Sequence, residues 1–132
     1  CYDRFITLMP RVLHLLVLLL YCLFSPGKGM AYVDSTSLAV CHPKRISRNK
    51  VFKGLARLGK TTKGWFFGFK LHLIVDPKGN IIRVKITGGN VDDRKVIPQM
   101  TQGLTGLMFG DKGYICKKLF VKLYRRGLKL VT

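Results

Sequence analysis

The amino-acid sequence predicts one mixed α/β domain, and three stretches carry that prediction. From Trp65 to Val75, Phe67, Phe69, Leu71, Leu73 and Val75 alternate with Gly68, Lys70, His72 and Ile74. A strand imposes this period of two because successive side chains leave opposite faces. Asp76-Pro77-Lys78-Gly79-Asn80 has the composition of a turn, and after it Ile82, Val84 and Ile86 alternate with Arg83, Lys85 and Thr87. The two runs read as a β-hairpin with an apolar face and a basic face. Further on, Ile115, Leu119, Phe120, Leu123 and Tyr124 recur at helical spacing, and Gly127 closes the helix. Strands interleaved with helices define the α/β class. A chain of 132 residues, 48% of them apolar, can bury one core and not two.

The remaining elements follow in order. Val12 to Phe24 is apolar apart from His14. It falls short of the about 20 residues that a membrane-spanning helix needs. A secretory leader has an apolar stretch of this length, with Arg4 and Arg11 before it, yet no small-x-small cleavage site follows. The run is therefore expected to be a buried core helix that starts after Pro10 and stops at Pro26-Gly27. Ala31 to Val40 is the first strand. His42 to Gly64 shows neither period and reads as a long exposed loop with one helical turn around 51–58. Thr87-Gly88-Gly89-Asn90 ends the hairpin, and Asp92 or Asp93 caps a short helix running to about Gln102. Leu107 to Gly110 forms a short buried strand ending at Asp111, and Leu128 to Val131 opens another. No internal repeat is visible.

The charge is lopsided. There are 24 Lys and Arg against 6 acids, for a formal net charge of +18; every acid is Asp and Glu is absent. Lys44, Arg45, Arg48, Lys50, Lys53, Arg57, Lys60 and Lys63 follow one another without an acid, and Lys112 to Lys129 adds a second acid-free basic run after Asp111. A folded domain this basic repels itself unless a polyanion neutralises it. Phosphate backbone is the first such partner, an anionic membrane the second. Cys1, Cys22, Cys41 and Cys116 are scattered without zinc spacing, as expected of reduced, mostly buried thiols in the cytoplasm.

Two aspartates share one setting. Asp34 follows Ala31-Tyr32-Val33 and Asp111 follows Leu107-Met108-Phe109-Gly110. If those strands are neighbours, the carboxylates converge across one inter-strand spacing of about 5 Å. Two such carboxylates repel, and Mg²⁺, which prefers hard oxygen ligands, relieves the repulsion. Bound divalent ions can then activate water for phosphodiester cleavage. Either Asp alone could equally be a cap or turn residue. The residues by themselves thus support a nucleic-acid-binding α/β domain and leave open whether it is a metal-dependent nuclease.

Five motifs carry the reading further. Tyr32-Val33-Asp34-Ser35-Thr36, the stretch from Lys44 to Gly54, the run from Gly64 to Leu73, Gly89-Asn90-Val91-Asp92-Asp93-Arg94 and Phe109-Gly110-Asp111-Lys112-Gly113-Tyr114 occur in this order. Together they resemble bacterial insertion-sequence transposases of the DDE type, over nearly the whole chain. The resemblance implies an RNase H-like mixed sheet with flanking helices, its first strand beside its fourth, incomplete at the C-terminus. Residues 1–29 would be an N-terminal helical segment and 30–132 a partial catalytic domain. Asp34 and Asp111 match the first and second catalytic carboxylates and would bind Mg²⁺ or Mn²⁺. They would serve cleavage at the element ends and strand transfer into target DNA. A third carboxylate, normally a Glu beyond the last strand, has no counterpart, so this chain is expected to be inactive alone.

Lys44, Arg45, Arg48, Lys50, Lys53, Arg57, Lys60, Lys63, Lys70 and Lys112 are the candidate DNA contacts. Lys70 and His72 are read as lying on the hairpin's exposed polar face. The implied partners are the element's terminal repeats and target DNA, with a homodimer as an option and no membrane. The implied location is the bacterial cytoplasm, on the nucleoid. Two rival readings are a non-catalytic nucleic-acid-binding protein, in which Asp34 and Asp111 lie far apart, and a secreted cationic protein with paired cysteines.

Overall fold

The computed structural model describes residues 2–62 and 64–132. Lys63, one of the predicted phosphate contacts, lies outside them. The order is helix α1 (Tyr2–Cys22), strand β1 (Lys28–Cys41), a 3-10 helix (Pro43–Arg48), β2 (Arg57–Thr61), β3 (Gly64–Val75), β4 (Ile81–Gly88), α2 (Asp93–Met100), β5 (Thr105–Phe109), a second 3-10 helix (Lys112–Tyr114), α3 (Lys117–Tyr124) and β6 (Leu128–Val131).

All six strands form one sheet in the order β2-β3-β1-β5-β6. β3 is long enough to hold two partners along the same edge. Residues 64–68 pair with β2, and residues 69–75 pair with β4. β1 is antiparallel to β3 on one side and parallel to β5 on the other, and β5 is parallel to β6. The predicted adjacency of the Asp34 strand and the strand before Asp111 is therefore present. The β2 strand was not legible in its basic stretch, where Gly59 and two cations break the apolar alternation. A 3-10 helix and a turn at 51–55 occupy the rest of what reads as loop.

Helices α2 and α3 cover one face of the sheet. Val96, Ile97 and Met100 from α2 and Leu119 and Leu123 from α3 meet Ala31, Val33, Ile74, Ile82, Met108, Leu128 and Leu130 from the strands. Asp92 caps α2 by accepting the Arg94 backbone N–H at 2.9 Å, which satisfies one of the helix's orphan donors. Gly127, at φ 78°, ends the α3 segment in the left-handed region that a side chain would resist. At the β2–β4 junction backbone approaches backbone: a Cβ on Gly59 would lie 2.1 Å from the Gly89 carbonyl oxygen and 2.8 Å from the Phe66 ring.

Two expectations are corrected here. The N-terminal apolar run is a helix from Tyr2 to Cys22 that passes through Pro10, and none of its residues is buried. It is no core helix of this fold. At 21 residues it is long and apolar enough to cross a membrane by length and composition, a test that signal sequences also pass. On β3 the predicted hairpin faces are also exchanged, whereas Ile82 of β4 is buried in the core as its alternation predicts. The side toward the helices carries Phe66, Gly68, His72 and Ile74, all buried, whereas Phe67, Phe69, Leu71, Leu73 and Val75 are half-buried. Both faces of β3 carry apolar side chains, so alternation does not reveal which one meets the helices. The thiols of Cys22, Cys41 and Cys116 are free, and none of the three is buried.

Candidate active site

The parallel register of β1 and β5 pairs Tyr32 with Phe109, whose rings stack with centroids 5.5 Å apart. Asp34 and Asp111 each lie two residues further on. They thus reach the same level, Asp34 within β1 and Asp111 just past the carboxyl end of its parallel neighbour β5. β5 ends at Phe109 while β1 continues to Cys41, so beyond Tyr32 the β1 edge has lost its neighbour. A polar cleft of roughly 220 Å³ fills that place, lined by Asp34, Ser35, Lys60, Lys70, Asp93, Asp111 and Tyr114 among others.

Each carboxylate is fixed by its own backbone. Asp34 Oδ1 accepts the Ser35 N–H at 2.7 Å, and Asp111 Oδ1 accepts the Gly113 N–H at 3.0 Å. Asp111 thereby caps the second 3-10 helix, which carries the Tyr114 ring back to the strand end. The approach needs Gly110, since a Cβ there would touch that ring and the Val33 side chain at 3.0 and 3.1 Å.

The cleft wall and the interior behind it carry a connected set of polar groups, from the part-buried Lys70 and Asp93 to the buried His72. Lys70 Nζ donates to the Val91 carbonyl oxygen and to Asp93 Oδ1, both at 3.0 Å. His72 is fully buried; its Nε2 is 2.8 Å from Thr87 Oγ1, and its Nδ1 is 3.9 Å from the same Asp93 oxygen. Burial pushes the His72 pKa below the ordinary histidine value, against the pull of Asp93, so the ring is neutral at pH 7. Tyr114 is only 2% exposed and its hydroxyl finds no hydrogen-bond partner. Burial raises its pKa to about 12, against the opposing effect of the Ser35 side chain and with help from the nearby negative charges of Asp93, Asp34 and Asp111.

Residues 24–132 match the family described as the transposase DDE domain. The chain belongs to that family. A cryo-EM structure of a piggyBac transposase synaptic complex with hairpin DNA shares the fold over 90% of this chain, at a TM-score of 0.57 and 12% identity. The matched part is 26% of that transposase chain, so this chain spans about a quarter of its length. No curated protein matches in sequence.

Within the DDE domain, Asp34, Asp111, Lys60 and Lys70 line one cleft. Lys44, Arg45, Arg48, Lys50, Lys53, Arg57 and Lys112 are exposed outside its lining. Lys60 also lies over the Trp65 ring, 5.6 Å from its centroid. Lys70 and His72, read from sequence as an exposed strand face, are instead inside: the Lys70 side chain is 15% exposed and that of His72 0%. Sequence reasoning also passed over two lining residues of the DDE domain, Asp93 and Tyr114. Each has a local signal, Asp93 beside the cap Asp92 and Tyr114 three residues after Asp111. Only the tertiary fold shows that both line the cleft that Asp34 lines.

Proposed function

We propose that this DDE domain is the DNA-cutting centre of a bacterial insertion-sequence transposase. As part of the whole transposase it would serve metal-dependent hydrolysis at the element ends and strand transfer into target DNA, with DNA as partner and the cytoplasm as location. The observation that carries this reading is that Asp34, within β1, and Asp111, just past the end of the parallel β5, line one cleft. Asp34 and Asp111 would hold Mg²⁺ or Mn²⁺. Among the described residues no group of three or more His, Cys, Asp or Glu side chains could hold a metal. The donor set nevertheless suits Mg²⁺, which takes one or two carboxylates and leaves its other positions to water and substrate phosphates. When bound, such ions activate the attacking water and stabilise the leaving oxygen.

The protein's own part is to bring a phosphodiester to that point and hold it. Lys60 and Lys70 do so within the cleft, and Lys44, Arg45, Arg48, Lys50, Lys53, Arg57 and Lys112 do so on the approach, each by offsetting phosphate charge and releasing counterions.

Mn²⁺ binding, followed by the loss of the free-ion electron paramagnetic resonance signal, tests this reading. Asp34→Asn and Asp111→Asn should each weaken binding on the order of tenfold, about 1.4 kcal/mol, whereas Asp76→Asn, in the hairpin turn, should not. Mn²⁺ should also tighten binding of a short DNA duplex by the unaltered chain and not by the two cleft variants. Equal Mn²⁺ affinity in all four proteins would overturn the metal-dependent reading.

A further inference from the structure

The Lys70 ammonium has three N–H donors, and the fold uses two, on the Val91 carbonyl and on Asp93 Oδ1, each at 3.0 Å. Lys70 also lines the cleft that holds Asp34 and Asp111. Two fixed acceptors on one side leave the third donor for the cleft. A lysine on an exposed strand would have many rotamers; this one is 15% exposed and tied at its tip, so its charge is held in one place before any ligand arrives. Asp93 is itself located by α2, whose N-cap is the preceding residue, Asp92. From the other side His72 faces Asp93. With Nε2 accepting from the Thr87 hydroxyl, the Nδ1–H points at Asp93 Oδ1 from 3.9 Å. The opposite tautomer would set a lone pair against a carboxylate.

We infer that Asp93 is a positioning residue of the cleft, which aims the Lys70 ammonium at a non-bridging phosphate oxygen of the DNA strand lying over Asp34 and Asp111. The inference rests on the reading of this cleft as the DNA-cutting site and adds to it a residue that touches neither metal nor DNA. It makes an unusual demand. Removing a negative charge from a basic DNA-binding cleft ordinarily tightens DNA binding, because it strengthens the attraction for phosphate. Here removal of the Asp93 charge weakens it, because Lys70 loses its anchor.

The experiment measures binding of a fluorescein-labelled hexathymidine strand to the full chain in Mg²⁺, by anisotropy, for the unaltered chain, Asp93→Asn, Asp93→Glu, Lys70→Met and the double variant Lys70→Met/Asp93→Asn. A charge-assisted hydrogen bond that is lost or misaimed corresponds to a change of about tenfold. Lys70→Met and Asp93→Asn should each weaken binding by about that factor. Asp93→Glu should recover part of the loss, and the double variant should be no weaker than Lys70→Met. Circular dichroism that matches the unaltered chain shows that each variant folds, and a misfolded Asp93→Asn transfers its part of the test to Asp93→Glu, expected about threefold weaker. If Lys70→Met weakens binding while the folded Asp93 variant binds equally or more tightly, the positioning role is wrong and the cleft still binds DNA. If Lys70→Met has no effect, the reading of the cleft as the DNA site fails with it.

Discussion

Burying His72 as a neutral ring makes the stability of this domain depend on pH below about 6.5. The ring is completely buried, and Asp93, Lys70 and Lys85 are the charged groups that act on it. Desolvation lowers its pKa, both lysines lower it further, and the Asp93 carboxylate opposes them without prevailing. In the unfolded chain the same imidazole titrates near 6.5. As pH falls through about 6.5, the unfolded chain therefore takes up a proton that the folded chain refuses, until the lower folded pKa is reached. The unfolded state binds more protons in that interval, so stability falls on acidification and rises on return. One proton gives a limiting slope of about 1.4 kcal/mol per pH unit. The direction of the shift fixes the sign, and the loss over the first unit below 6.5 stays below about 1 kcal/mol. Urea unfolding curves at about pH 7.5, 6.5 and 5.5 measure it, with His72→Gln as the reference, since Gln does not titrate and can still bond to Thr87. The unaltered chain should lose stability between the two lower values, by less than about 1 kcal/mol, and His72→Gln should not. Parallel profiles for the two proteins would refute the reasoning.

Two further outcomes follow from single contacts. Gly59→Ala drives a methyl group toward the Gly89 carbonyl oxygen, 2.1 Å from the ideal Cβ, and β2 must withdraw; overpacking of this kind costs about 1–3 kcal/mol, and an unchanged urea midpoint would contradict the close approach. Asp92→Ala removes the α2 cap and should cost about 1 kcal/mol, with Asp92→Asn much milder because Asn also caps. Arg94 holds the Asp92 carboxyl at about 2, from an ordinary 3.8, so the charged cap's contribution is intact above pH 3.8 and fades as pH falls through about 2. Acid titration of the Asp92 carboxyl by NMR checks that window.

Much of this protein was legible in its residues. The β3–β4 hairpin, the α2 cap, the α3 periodicity and β6 follow from short-range rules, because alternation, turn composition and capping act over a few residues. The placement of Asp34 in a strand and of Asp111 just after one was legible for the same reason. What sequence could not decide is orientation. Lys70 and His72 look like the wet side of a strand, and become the dry side only because α2 and α3 pack there and the sheet encloses β3 between β1 and its two other partners. The N-terminal run looked like core because it is apolar, yet burial needs a partner surface, and none of α1's residues is buried. Asp93 and Tyr114 join the cleft through contacts spanning many residues. Local composition determined which elements form and the net charge that calls for a polyanion; packing between distant segments alone determined which polar groups face one another, because that depends on register and layer contacts that no short stretch encodes.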